Sequence, residues 1–147
     1  YDNHIIVRIS WVFGIHGKNF IKTMLNLAES HKELNVVCDQ FGSPTYTKDI
    51  AGLLVNIFLS NIKGLYHVTN EGYCSWYEFA EFIFKESRKK VKVHPILTKD
   101  YKTIAKRPLN SKLSKESLDY IGVNRLPGWQ DAVKRYIQEL KKEGEIK

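Results

Sequence analysis

The chain has 147 residues, of which 43% are hydrophobic and 12% aromatic, enough for one globular domain with a buried core and too few for two ordinary domains. Its 23 Lys and Arg residues outnumber its 16 Asp and Glu residues, and the net charge of +7 favours an anionic partner such as a nucleotide, a nucleic acid or a phosphorylated metabolite. The sequence contains neither a bilayer-spanning apolar run nor a signal peptide, so we expect a cytoplasmic protein with no membrane partner.

The first predicted elements are a strand, a helix and a second strand. The segment from Ile5 to Phe13 is rich in β-branched residues and ends at Gly14, which predicts one continuous strand, apolar on both faces, inside a parallel sheet. Apolar spacing predicts a helix over 20–28, with Asn19 or Lys18 near its cap. A short strand is predicted over 35–38.

A turn-rich stretch then leads into an amphipathic helix. Apolar residues recur there at helical spacing: Ile50, Leu53, Leu54, Ile57 and Phe58. The succession of strand, helix, strand and helix is typical of an α/β fold.

The rest of the chain has weaker strand signals and two more helices. A strand is predicted over 64–68, and Ser75 with Glu78 forms a capping box ahead of a helix. Residues 91–96 alternate in polarity and end near a proline, which predicts a half-exposed edge strand. Loop and short helix follow, and the last helix begins near Trp129.

The first strand also bears on completeness. A strand that is apolar on both faces needs partners at both edges, yet the sequence predicts three further strands, one of them an edge. We therefore expect the chain to be a fragment of a longer protein.

The segment from Gly17 to Lys22 is the first candidate site. A cap residue and two lysines, Lys18 and Lys22, flank a helix start, where free N–H groups and the helix dipole favour a phosphate. The spacing is much looser than a P-loop, and an ordinary capped helix with solvated lysines is the alternative.

The turn over 39–46 is the second candidate, because ligands of open α/β sheets bind in loops beyond the carboxyl ends of strands. Gln40, Ser43 and Thr45 supply donors and acceptors for a sugar or a base. A plain connection with a helix cap from Thr45 or Thr47 is the alternative.

The basic stretch from Lys99 to Lys115 is the third candidate, with six basic residues and one acidic residue. Pro108 biases Arg107 toward an extended backbone that would aim its guanidinium at a diphosphate. A solvated cationic surface is the alternative.

Tryptophans and catalytic motifs complete the survey. Trp11 could stack on a sugar or a base, or lie in the core, whereas Trp76 and Trp129, each beside a helix start, are predicted to be core residues. The sequence has no Gly-x-Gly-x-x-Gly fingerprint, no Tyr followed four residues later by Lys, and no paired histidines. Its two cysteines are far apart, which indicates reduced thiols. We therefore expect no catalytic residue and no metal ligand in this chain.

Six blocks in order resemble the C-terminal half of the dTDP-4-dehydrorhamnose reductase family: RISWVFG at 8–14, GKNFIKTML at 17–25, DQFGSPT at 39–45, GLYHV at 64–68, SWYEFA at 75–80 and RPLNS at 107–111. The resemblance implies an α/β fold, the C-terminal part of a Rossmann-like extended short-chain dehydrogenase. Residues 1–147 would form a single substrate-binding portion, with the remaining Rossmann strands in about 1–60 and mainly the small substrate subdomain in about 61–147. The N-terminal NAD(P)-binding half would be absent.

Roles for individual residues follow from the same resemblance. Trp11 matches a tryptophan at the sugar end of the substrate, Ser10 would lie near the nicotinamide, and Asn19 and Arg107 match positions near the diphosphate. The predicted substrate-binding set is Trp11, Asn19, Lys22, Gln40, Ser43, Thr45, Arg107 and Asn110.

The implied activity is reduction of the 4-keto group of dTDP-4-dehydro-L-rhamnose with NADPH or NADH, the last step of dTDP-L-rhamnose synthesis. The cofactor would be bound mainly by the absent half, so these 147 residues should be inactive alone; a homodimer is compatible with the resemblance. One alternative is a non-catalytic regulatory subunit of the S-adenosylmethionine synthetase β-subunit type, which shares the fold. A basic nucleic-acid binder is disfavoured, because Tyr101 is the one aromatic within the basic stretch.

Overall fold

Eight short strands and five α-helices are interspersed along the residues that the computed structural model describes, 4–103 and 105–146. The first half contains β1 (Ile5–Arg8), β2 (Val12–Phe13), α1 (Phe20–Leu27), β3 (Glu33–Val37), β4 (Phe41–Gly42), β5 (Thr45–Tyr46) and α2 (Thr47–Leu59). The second half contains β6 (Gly64–His67), β7 (Cys74–Ser75), α3 (Trp76–Ser87), β8 (Lys92–Ile96), a 3₁₀ turn at Thr98–Asp100, α4 (Glu116–Tyr120) and α5 (Trp129–Lys142).

The strands pair over long sequence separations. β1 pairs with β6, β2 with β5 and β3 with β8, all in parallel, whereas β4 and β7 pair antiparallel. Parallel pairs joined through helices confirm the predicted α/β class. Strands from both sides of residue 60 pair with each other, and the predicted boundary near residue 60 between Rossmann elements and substrate subdomain stays a prediction. The predicted range 1–147 includes residues 1–3 and 147, and the basic stretch includes residue 104; these lie outside the described residues.

The predicted strand from Ile5 to Phe13 is wrong in one respect, because it is broken at Trp11. This residue has φ of +46°, in the left-handed region that an extended strand cannot accommodate. The Trp11 backbone oxygen accepts a hydrogen bond from Thr45 N at 3.1 Å, which holds the turned chain against β5. The break places β1 and β2 in different pairings.

Local cap signals are confirmed. Asn19 caps α1, with its Oδ1 accepting from Lys22 N at 3.0 Å. Ser75 and Glu78 form the predicted capping box of α3. These features depend on residues three positions apart, and the sequence displays them directly.

Helix α2 forms as predicted but buries a narrower stripe. Ile50, Leu53 and Ile57 are buried, whereas Leu54 and Phe58 are 38% and 77% exposed among the described residues. The latter two lie on the flank of the helix, beyond the surface that packs on Tyr66 and Leu118.

Two apolar clusters form the core. The larger one joins α1, α3 and α5 and includes the stacked or tilted rings of Phe13, Tyr46 and Tyr136, with the predicted core residue Trp129 at its edge. The smaller one joins α2, β6 and α4. Both cysteines are free thiols. Within the described ranges no helix is long and apolar enough to cross a membrane.

Candidate functional site

A cavity of about 960 Å³ opens beyond the carboxyl ends of β1 and β3, the edge at which ligands of open parallel sheets bind. Its walls come from five segments that are distant in sequence. The lining residues are Ser10, Trp11, Val12, Lys18, Phe20, Met24, Asn35, Val36, Val37, Gln40, Trp76, Tyr101, Thr103, Arg107, Pro108 and Ser111.

Stacked aromatic rings form one wall. The indoles of Trp11 and Trp76 are parallel to within 11°, with centroids 3.6 Å apart, and Phe20 packs against Trp76 at 4.6 Å. Trp76 packs against the larger core cluster but is only half-buried and also lines the cavity, so its assignment to the core alone is incomplete. The sequence placed Trp76 at the start of α3, but it could not show that this end of the helix faces the cavity.

Two cations line the same cavity, Lys18 and Arg107. Within residues 4–103 and 105–146, neither side chain forms a hydrogen bond or an ion pair, and the cavity lining includes no Asp or Glu. The described part of the site is therefore cationic and suited to an anion.

The rest of the basic stretch does not share this position. Lys115 is 3% exposed and lies within 3.4 Å of Glu71 and Thr69, beneath the ring of Tyr73. Lys112 lies over the rings of Phe41 and Tyr73. The candidate site is thus narrower than the basic stretch from Lys99 to Lys115, because packing holds Lys112 and Lys115 elsewhere.

The turn after β3 holds the Arg107 segment over the cavity. Asp39 Oδ1 accepts hydrogen bonds from Thr98 N and Oγ1 at 2.9 and 2.6 Å, and Gln40 Nε2 donates to Thr98 Oγ1 at 3.1 Å. Backbone bonds between Phe41 and residues 109 and 111, at 2.9 and 2.8 Å, anchor the other end. Gln40 therefore lines the cavity and also helps to hold the segment that carries Arg107 beside it.

Ser10 also lines the cavity, beside Trp11. Its hydroxyl donates to the Ser43 backbone oxygen at 3.1 Å and keeps oxygen lone pairs free to accept a bond. Its exposure to the cavity suits a group held at the end of β1, and its contact with a nicotinamide stays a prediction.

Five predicted substrate residues lie outside the cavity lining and make internal bonds. Ser43 Oγ donates to Gly72 O, and Thr45 Oγ1 donates to Ser43 O. Asn110 Oδ1 accepts from Lys112 N. Their direct contact with substrate, like that of Asn19 and Lys22, stays a prediction.

Lys18, rather than Lys22, is the lysine of the helix-start segment that reaches the cavity. Lys22 Nζ instead donates to Ile15 O at 2.7 Å and pairs with Glu145 at 3.1 Å. The two lysines are four residues apart, and the sequence could not show which one faces the cavity.

Asn19 connects α1 to the core. Its Nδ2 donates to Gly14 O and to the Tyr136 hydroxyl, both at 3.0 Å. Burial raises the pKa of Tyr136, so its hydroxyl stays protonated and itself donates to Gly14 O at 2.7 Å.

Replacing Asn19 with alanine should lower the free energy of unfolding by about 1–2 kcal/mol, because α1 loses its cap and Tyr136 loses a donor. Urea unfolding measures this loss. Thr23→Ala is the matched control in the same helix: it removes only an exposed bond to Asn19 O. An unchanged unfolding midpoint for Asn19→Ala would contradict the structural role.

Among the described residues, no group of three or more His, Cys, Asp or Glu side chains could hold a metal ion.

Several known proteins are similar to this chain in sequence and in fold. The sequence profile of the RmlD substrate binding domain matches residues 1–142. The spore coat polysaccharide biosynthesis protein SpsK of Bacillus subtilis is 46% identical over 134 residues, 91% of this chain and 47% of its own length. The dTDP-4-dehydrorhamnose reductase of Sinorhizobium fredii is 39% identical over 153 aligned residues, 97% of this chain and 52% of its own length.

Two solved structures of dTDP-4-dehydrorhamnose reductases are also similar to this chain. A dTDP-4-dehydrorhamnose reductase of Clostridium acetobutylicum is 39% identical and superposes with a TM-score of 0.90 over 93% of this chain and 49% of its own. The enzyme of Bacillus anthracis, in complex with NADP, is 38% identical, with a TM-score of 0.88 over 95% of this chain and 49% of its own. This chain thus spans about half the length of the relatives that it matches. It belongs to the RmlD substrate binding domain family.

Proposed function

We propose that the chain is the substrate-binding portion of a dTDP-4-dehydrorhamnose reductase, which reduces the 4-keto group of dTDP-4-dehydro-L-rhamnose with NADPH or NADH in dTDP-L-rhamnose synthesis. The observation that carries the proposal is a cavity in which two cations, without ion-pair partners among the described residues, lie beside a pair of stacked indoles. Relatives named dTDP-4-dehydrorhamnose reductase support the choice of substrate.

Each wall of the cavity suits one part of a nucleotide sugar. Arg107 and Lys18 would neutralise the diphosphate, and the planar guanidinium of Arg107 can donate two parallel hydrogen bonds to phosphate oxygens. Trp11 offers a flat apolar surface to the sugar or the base, and Trp76 stacks on it. Gln40, 6% exposed, is held by Thr98 in a fixed orientation for a polar contact.

The nicotinamide cofactor would be bound mainly by an N-terminal half outside these residues and would supply the hydride. Ser10 is this chain's predicted contact with it. A cytoplasmic location and a homodimer belong to the same proposal. One relative is named as a polysaccharide biosynthesis protein and the others are named as reductases, and nothing among them favours the regulatory-subunit alternative.

Titration of the chain with dTDP and, separately, with generic single-stranded DNA tests the binding proposal. Trp11 and Trp76 line the cavity, so tryptophan fluorescence should change saturably with dTDP. Binding of DNA that falls steeply with salt, with no response to dTDP, would overturn the proposal and favour a nucleic-acid binder.

The 147 residues alone should not turn over. In the short-chain reductases that the sequence resembles, a tyrosine followed four residues later by a lysine is the proton donor with its partner. No tyrosine in this sequence has that spacing, so the expected proton donor and its partner are absent from the chain. Incubation with NADPH and dTDP-4-dehydro-L-rhamnose, followed by NADPH absorbance, should show no oxidation above the protein-free rate. Substrate-dependent oxidation would show that another residue of this chain supplies the proton.

A further inference from the structure

We propose that Trp76 is a positioning residue that holds the Trp11 indole in one orientation, and that the stacked pair, rather than Trp11 alone, shapes the wall facing the sugar or base. This inference rests on the proposed nucleotide-sugar site. Three independent features of the structure lead to it.

The backbone of Trp11 is held in an unfavourable conformation. Its φ of +46° lies in the left-handed region, which bulky residues rarely adopt and which costs free energy unless surrounding contacts offset it. The conformation turns the chain between β1 and β2 and coincides with the placement of the indole in the cavity wall. Contacts made by the ring, together with the bond from Thr45 N to Trp11 O, therefore offset this cost.

Trp76 supplies the closest of these ring contacts. The two indoles are stacked at 3.6 Å between centroids and 11° between planes, closer and more parallel than the contact of Trp11 with Phe79, at 6.3 Å and 23°. Phe20 packs at 4.6 Å on Trp76 and supports it from α1. One face of Trp11 is thus covered by a ring that is itself held in place.

Gly42 supplies the space for the Trp11 ring. A Cβ atom at Gly42 would lie 2.5 Å from Trp11 Cε2 and 2.7 Å from Nε1, so any larger residue would displace the indole. The backbone of Gly42 in β4 and the ring of Trp76 both lie against Trp11. Gly42 is 31 positions and Trp76 is 65 positions from Trp11 in the sequence. The indole is therefore fixed by tertiary contacts.

A fixed indole lowers the cost of binding. A free tryptophan side chain would have to be ordered when ligand binds, whereas the stacked pair has already lost that freedom on folding. The covered face also excludes a ligand ring from the space between the two indoles, so the ligand must meet the remaining surface of Trp11.

Calorimetric titration with dTDP tests the inference. Trp76→Leu, which keeps an apolar side chain but removes the flat ring, should weaken dTDP binding about fivefold, and Trp76→Phe should restore most of the loss. In a Trp11→Ala background, Trp76→Leu should cause little further loss, because Trp76 acts through Trp11. Equal losses in both backgrounds would overturn the positioning role.

Circular dichroism provides a readout that needs no ligand. Stacked indoles produce an exciton couplet, which should be present in the wild type and in Trp129→Phe, whose changed ring lies outside the stack. The couplet should be lost in Trp76→Leu and reduced in Gly42→Ala, a second variant on another element. A couplet that survives both changes would overturn the inference.

The two experiments separate this inference from the proposed function. If the wild type shows the couplet but binds no dTDP, the proposed function fails and the ring arrangement stands. If the wild type binds dTDP and Trp76→Leu binds it equally well, the proposed function stands and the positioning role fails.

Discussion

Replacing Arg107 with alanine should weaken dTDP binding by about ten- to a hundredfold, the loss expected for a charge-assisted contact to phosphate. Arg107 lines the cavity, and its side chain has no ion-pair partner within residues 4–103 and 105–146, so it is available to a ligand. Fluorescence or calorimetric titration at two salt concentrations measures both the affinity and its electrostatic part.

Lys106→Ala is the matched control for Arg107→Ala. Lys106 is an adjacent exposed cation that does not line the cavity, so its removal changes the net charge equally and should alter dTDP affinity less than about twofold. Equal losses for the two variants would show that dTDP responds to overall charge and would contradict a specific diphosphate contact. Unchanged affinity in Arg107→Ala would remove this residue from the site.

The second large effect concerns stability and centres on Asp49. Arg135 donates two hydrogen bonds of 2.7 Å to the two carboxylate oxygens of Asp49, and Asn70 Nδ2 donates a third, also of 2.7 Å. Asn70 Oδ1 in turn accepts from Tyr46 N at 2.8 Å. This partly buried network joins α2 to α5 and to the segment after β6.

Asp49→Asn should lower the free energy of unfolding by about 2–3 kcal/mol, because Arg135 loses its bidentate partner in a half-buried position. Asp131→Asn is a close control, since Asp131 accepts from Nε of the same arginine at 2.8 Å. The Asp131 side chain is 58% exposed against 10% for Asp49, so its loss should cost less than about 0.5 kcal/mol. Similar losses in the two variants, measured by urea unfolding, would contradict the importance of burial.

Acid should weaken the same network. Burial alone would raise the pKa of Asp49, but hydrogen bonds from Arg135 and Asn70 outweigh burial and hold it below its ordinary value. The pKa of Glu139 is also lowered, because the effect of burial is outweighed by hydrogen bonds from Lys48 and Tyr46. A carboxylate whose pKa is lower in the folded state contributes stability that is complete above the ordinary pKa of about 4 and is lost as pH falls through the lower folded value.

We therefore expect the urea midpoint of the wild type to fall as pH drops below about 4, and that of Asp49→Asn to fall less steeply. The variant has no carboxylate at this position to protonate. Urea unfolding at a series of pH values gives the two slopes. Parallel slopes would show that Asp49 is not responsible for the acid sensitivity.

Much of the fold was predictable because it depends on short-range patterns. The cap at Asn19, the capping box of Ser75 and Glu78, and the α5 start at Trp129 each reside in a few neighbouring residues. The break at Trp11 was not predictable, because the β-branched run around it favours an extended chain and only contacts with β4, β5 and α3 hold the turned conformation.

The candidate site shows the same division. Sequence reasoning selected Ser10, Trp11, Gln40 and Arg107, and the structure brings all four to one cavity. It assigned Trp76 to the core, and it could not show that packing turns Lys22 and Lys115 toward Glu145 and Glu71.

The sequence by itself determined the α/β class, the helix caps and the resemblance to a reductase family, because these depend on residue type and spacing along the chain. The tertiary structure decided which side chains meet at the cavity: Lys18 rather than Lys22, and Trp76 together with Trp11. The physical reason is that the direction of a side chain is set by the packing of elements far apart in sequence. The parallel pairing of β3 with β8 and the hydrogen bonds that Thr98 donates to Asp39 hold the Arg107 segment at the cavity, and local spacing contains neither contact.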